Sequence, residues 1–139
     1  MRRIRRAAFQ ALFQLDAAPQ ATDEELLQSL AEVELSAAER RRSLALARAA
    51  FAERQACDAL MQELAPAWPA SRQPAVDRAL LRLAHYEMRS GRAPPGVAIS
   101  EAVALARSFG GEKSPSFVNG LLGEAARRIE ATAAAPEGG

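Results

Sequence analysis

The stretch ISEAVALARSFGGEKSPSFVNGLLGEAARRI, residues 99–129, joins two helical patterns through a short loop carrying glycine, lysine and serine. Val97, Ala98, Glu101, Ala102, Leu105, Ala106 and Phe109 recur at three-to-four spacing and stop at Gly110-Gly111. This predicts a helix that ends on a glycine free to take positive φ. Ser114 is expected to cap a second helix with Pro115 in its first position, and Phe117, Val118, Leu121 and Leu122 resume the apolar stripe. Asn119 and Gly120 lie inside that second helix, where each costs up to about 1 kcal/mol against alanine. Close packing or a polar contact is the expected reason for keeping them.

Outward from this segment the same periodicity continues, and strand-like alternation is absent, so the fold class is all-α, a bundle of six to seven helices. A first helix is predicted over Arg2–Asp16 and a second over Asp23–Glu34, capped by Thr22. A third opens on a Ser36/Glu39 capping box and carries Leu44, Ala47, Ala50, Phe51, Arg54 and Cys57 on toward Leu64. Pro66, Trp68 and Pro69 break the pattern. Residues 66–73 are therefore the expected hinge between an N-terminal lobe, 1–65, and a C-terminal lobe, 74–130. The second lobe holds a helix over Pro74–Ser90, the GRAPPG turn and the two helices above; residues 131–139, ending in APEGG, are expected to be a disordered tail.

Composition narrows the function. A chain of 139 residues, 49% of them hydrophobic, suffices for one helical core. No apolar run approaches eighteen residues and no charged-then-apolar leader is present, so no membrane contact and a cytoplasmic location are expected. One cysteine, Cys57, and one histidine, His85, exclude an internal disulfide and supply no metal cluster. With no nucleophile motif and no glycine-rich phosphate loop, neither catalysis nor a cofactor is expected. The net charge of +1 means that any nucleic-acid affinity must come from a local basic patch.

The first helix supplies such a patch. At about 100° per residue, Ile4, Ala8, Ala11, Leu12 and Leu15 form a core stripe, while Arg2, Arg6, Phe9 and Phe13 cluster about 150° away, with Arg5 at the edge and Arg3 in the same run. Rings flanked by guanidinium groups suit single-stranded RNA, the ring stacking an unpaired base and the cations holding phosphates. The alternatives are that both rings pack under neighbouring helices and that the arginines form a solvated face. Arg40, Arg41 and Arg42 have no interleaved aromatic, and they are read as solvated and outside the site. Lys113 and Ser116 belong to the loop before a helix N-terminus, whose free amides attract anions. Phe117 is either a base contact or buried between the last two helices.

In the helix over residues 74–90, Val76, Leu80, Leu83 and Ala84 form the core stripe and Asp77, Arg78, Arg82 and His85 are read as lying outside it, a candidate partner surface. Glu87 projects into the apolar stripe and must be paired, so it is read as structural, tying the GRAPPG turn or the last loop. Tyr86 and Arg82 either stack on one another or face RNA.

Three blocks in order, RRIRRAAFQALFQLD (Arg2 to Asp16), AVDRALLRLAHYEM (Ala75 to Met88) and EAVALARSFG followed by FVNGLL, resemble the NusB transcription antitermination family. The resemblance implies a two-lobed helical protein that binds the boxA element of nascent ribosomal RNA leaders. It implies as partners the ribosomal protein NusE, which docks on the C-terminal lobe, and the RNA polymerase antitermination complex, with read-through of terminators as the outcome. It also implies an aromatic at Phe13 and an acidic partner contact at Asp77. Lys113 departs from it, since some members carry an acidic residue nearby. The family contains monomers and homodimers, and a homodimer burying the first helix would hide its Arg–Phe face. The competing readings are a non-catalytic protein-interaction module and the NusB-like domain of RNA cytosine methyltransferases; with no methyltransferase domain following, a free-standing factor is expected.

Overall fold

The computed structural model describes residues 1–30 and 34–134. Among them are seven α-helices and no strand: α1 (Arg2–Ala17), α2 (Asp23–Ser29), α3 (Ala37–Ala52), α4 (Arg54–Leu64), α5 (Ala75–Arg89), α6 (Pro95–Phe109) and α7 (Ser114–Ala134). A single 3-10 turn, Ala70–Arg72, lies between α4 and α5. The all-α expectation holds.

The helix starts follow local chemistry. Thr22 and Glu25 form one capping box and Ser36 and Glu39 another, each satisfying two amides that the first turn leaves free. Pro95 occupies the first position of α6, where its missing N–H costs nothing. α5 ends at Ser90 and Gly91, which takes φ +74°, and the Glu87 carbonyl accepts the Ala93 amide at 3.3 Å to close the turn.

Three boundaries differ from those predicted. α2 stops at Ser29 rather than Glu34; residues 31–33 of the expected helix lie outside the described residues. The helix expected from Ser36 to Leu64 is two helices, broken at Glu53 with φ −98° and ψ 12°. No glycine or proline marks the break. Instead Arg54 donates to the freed Phe51 carbonyl at 2.8 Å and lies over the Phe51 ring, which supports the bend that turns Cys57 and Met61 inward. α7 continues through residues 131–134, expected to be tail; residues 135–139, the rest of that expected tail, lie outside the described residues.

α5 is the central strut, in contact with α1, α3, α4, α6 and α7. Being surrounded, it is buried on every side, and this corrects the reading of Asp77, Arg78, Arg82 and His85 as an outward partner surface. Asp77 is 3% exposed and His85 4%, and burial lowers the His85 pKa, favouring the neutral ring. Arg78 and Arg82 turn toward carboxylates of other helices. Arg82 donates to Asp58 at 2.7 Å and to Asp16 at 3.0 Å, and Arg78 donates to Asp16 and to the carbonyls of Ala70 and Gln73. A buried charge is tolerated only with such partners. Arg82 therefore does not stack on Tyr86, over which Arg92 lies instead. One cluster of buried apolar residues runs from Ile4 through Leu80 to Leu122, so the core is continuous across the segment 66–73.

Candidate nucleic-acid interface

Helix α1 packs most extensively on α3 and is also held by α5 and α6. Arg2 reaches Glu101 at 3.1 Å and the Phe9 and Phe109 ring centroids lie 5.3 Å apart, so α6 touches α1 through long side chains at both ends and points the same way. Arg5 pairs with Glu87, and Asp16 with Arg78 and Arg82, so α5 runs antiparallel to α1.

These neighbours sort the arginines and rings. Arg2, Arg3 and Arg6 are exposed, and the Arg6 guanidinium lies 5.2 Å from the centre of the Phe109 ring. Arg5 is not available to a ligand. It is buried, and its Nε and terminal nitrogen donate to the two Glu87 oxygens at 2.9 and 2.8 Å. Glu87 is thus structural as expected, but its carboxylate ties α5 to α1, and only its main-chain carbonyl ties the turn. Phe9, proposed from sequence as a base contact, is 3% exposed and belongs to the core, because the end of α6 covers it. Phe13 is 38% exposed.

Where α1 meets the end of α2, the start of α5 and the end of α6, an open groove of about 340 Å³ is lined by Phe9, Gln10, Phe13, Gln14, Ser29, Val76 and Phe109. Phe109, itself 37% exposed, forms one wall and Phe13 another. The Gln10 Oε1 oxygen is buried there without a hydrogen-bond partner. The site therefore offers two partly exposed rings, an amide, and an exposed cation one turn along α1. Phe109 and Gln10 were not singled out from sequence. The signal for Phe109 was its place as the last apolar residue before Gly110, where a helix end leaves a side chain half covered.

The loop after α6 differs from its prediction. Gly110 has φ −92° and ψ −178°, an extended backbone open to any residue, so positive φ is not its reason. Space is: a Cβ there would stand 2.6 Å from both Cβ and Oγ of Ser114 and 2.8 Å from the Ala106 carbonyl oxygen. Ser114 already lies within α7, and its hydroxyl accepts the Gly111 amide at 3.1 Å instead of capping the helix. Lys113 and Ser116 are exposed, and Phe117 is half-buried, packed against the edge of the core. Lys113 follows Phe109 by four residues, so its Cα lies within about 14 Å of that wall of the groove. Asn119 and Gly120 are exposed; open space surrounds Gly120, so close packing does not explain it. Val97, expected in the core stripe of α6, is 45% exposed.

Cys57 is buried, and burial pushes its thiol far above the ordinary range, which keeps it unreactive. Among the described residues no group of histidines, cysteines and carboxylates could hold a metal ion, and no helix is long and apolar enough to cross a membrane.

The NusB family's sequence profile matches residues 2–127. The transcription antitermination protein NusB of Symbiobacterium thermophilum is 39% identical over 98% of this chain and 95% of its own. The solved structure of T. maritima NusB is 32% identical, with a TM-score of 0.79 over 91% of this chain and 89% of its own. A structure of the antitermination factors NusB and NusE in complex with double-stranded RNA matches with a TM-score of 0.79 at 22% identity, over 91% of this chain and 96% of that one.

Proposed function

This chain belongs to the NusB family, and from that premise we propose that it is a non-catalytic, cytoplasmic RNA-binding transcription antitermination factor whose RNA surface is the exposed side of α1 with its neighbouring loop. The carrying observation is the groove between Phe13 and Phe109 with the Arg6 guanidinium at its rim. Unpaired bases stack on rings of this kind, and guanidinium groups hold the adjoining phosphates. In this reading Phe13 stacks a base, Arg2, Arg3 and Arg6 hold phosphates, and Lys113 and Ser116 extend the contact toward the start of α7.

The RNA is boxA-type leader sequence of ribosomal RNA operons, bound as a single strand together with a NusE-type ribosomal protein, and the result is terminator read-through by RNA polymerase. The solved assembly of NusB with NusE and double-stranded RNA supports NusE and RNA as the classes of partner. Because Asp77 and Arg82 are buried in ion pairs or in the core, the NusE contact uses other residues.

About four phosphate contacts predict a log–log salt slope near −3 on a single strand, so a fourfold rise in salt weakens binding roughly fiftyfold. A binder so dependent on salt benefits from a second protein. The test is fluorescence anisotropy with a labelled boxA strand, a scrambled strand and the boxA strand annealed to its complement, each with and without NusE. Preference for the boxA single strand, tightened by NusE, supports the reading. Equal binding to all three removes the sequence claim, and no binding even with NusE makes the groove a protein-docking surface.

A further inference from the structure

Helices α1 and α3 pack along one another with their N-terminal ends together. Beyond the C-terminal end of α1, Arg48 of α3 donates to the Ala21 carbonyl at 2.9 Å and to Asp23 at 2.7 Å. At the opposite end the Glu39 carboxyl lies below the usual carboxylate range, first because the Ser36 amide donates to it, and also because the positive charges of Arg3 and the chain's amino group are close. The first two turns of α3 therefore stand beside the first two turns of α1. They carry Arg40, Arg41 and Arg42; the last two are exposed, and Arg40 is half-buried with its Nε lacking a partner.

This juxtaposition opposes helix stability. Cations at a helix N-terminus face the positive end of the dipole, and here two parallel helices present that end side by side. The first turn of α1 holds no acidic residue and Met1 provides no side-chain cap. The one acid in the first turn of α3, Glu39, is engaged by Ser36. Among the described residues no carboxylate pairs with Arg3, Arg6, Arg40, Arg41 or Arg42, although nine ion pairs are formed elsewhere. Departures from local helix chemistry of this kind concentrate where function requires them.

We infer that Arg40, Arg41 and Arg42 form a second phosphate-holding segment, continuous with Arg2, Arg3 and Arg6, so that a single RNA strand seated at Phe13 continues across the paired N-termini of α1 and α3. The occupant is a polyanion of repeating charge. From Phe13 to Arg2 the helix rises about 16 Å, and the arginines of α3 stand beside that N-terminal end, which makes an elongated basic track leading to the ring-lined groove. The inference rests on the RNA reading given above.

The test measures salt-dependent anisotropy of the full chain with labelled single-stranded RNAs of about six and about sixteen nucleotides. The variant is R40Q/R41Q/R42Q, in which glutamine keeps helix propensity. On the long strand the variant is expected to lower the salt slope by about 2, at about 0.7 per lost contact, while the short strand, satisfied by α1, changes less than about twofold in affinity. Should the triple variant fail to fold, R41Q/R42Q alters only exposed side chains and is expected to lower the slope by about 1.4. An unchanged slope on the long strand, with Arg6→Gln still lowering it, overturns the extension and leaves the RNA reading standing. Failure of the wild type to bind either strand overturns both.

Discussion

Arg5 of α1 and Glu87 of α5 form a buried two-pronged ion pair, with nitrogen–oxygen distances of 2.9 and 2.8 Å and side chains 6% and 1% exposed. The pair locks the helix that carries the exposed arginines to the helix at the centre of the core. Leaving either charge alone in that place costs far more than an exposed pair contributes. Arg5→Gln is expected to lower unfolding free energy by about 3–5 kcal/mol, and Arg5→Met/Glu87→Met to restore much of the loss, as read by urea denaturation. At temperatures where Arg5→Gln stays folded its RNA salt slope should match the wild type; a slope reduced by about 0.7 would make Arg5 a phosphate contact after all.

Asp16 bridges Arg78 and Arg82. Burial alone would raise its pKa, and hydrogen bonds and charge from Arg78 and then Arg82 more than reverse that, leaving it below the ordinary value. A carboxyl whose folded pKa is depressed stabilises the fold above its unfolded pKa, near 4, and loses that contribution as pH falls through the folded value. Stability should therefore decline as the solution is acidified below about pH 4, and Asp16→Asn, less stable at pH 7, should decline less steeply over the same interval. Parallel decline of the two proteins in thermal melts between pH 2 and 6 would contradict the role given to Asp16.

Two glycines of the 99–129 segment should respond oppositely to alanine. Gly110→Ala forces a Cβ against Ser114 and the Ala106 carbonyl, and overpacking of this kind typically costs about 1–3 kcal/mol. Gly120→Ala enters open space within α7 and should stabilise by about 0.5–1 kcal/mol through helix propensity. Denaturant midpoints that move in the same direction for both would refute this account of the loop.

Much of the fold was legible because helix starts are local. The Ser36/Glu39 box, the Thr22 cap and the apolar spacing of α1 and α7 each involve residues within one or two turns. The break at Glu53 was hidden because it depends on the Arg54 side chain reaching a carbonyl and a ring, with no glycine or proline to announce it. For the site, periodicity sorted Ile4, Leu12 and Leu15 correctly and placed Arg6 and Phe13 outward. It failed for Arg5, at the edge of the Arg–Phe face, and for Phe9, within that face, because there the neighbour decides: Glu87 draws Arg5 in and Phe109 covers Phe9. It failed for Asp77 and Arg82 because one helix's pattern does not report how many helices surround it. The resemblance to the NusB family carried the biology, and no rule of spacing would have supplied it.

The most direct test of the RNA surface is salt-dependent anisotropy with a labelled boxA single strand, comparing wild type, Phe13→Ala and Arg6→Gln. Phe13→Ala should weaken binding by about 1–3 kcal/mol at every salt concentration with an unchanged slope, and Arg6→Gln should reduce the slope by about 0.7. Affinities and slopes equal to wild type in both variants would contradict the claim that this side of α1 holds RNA.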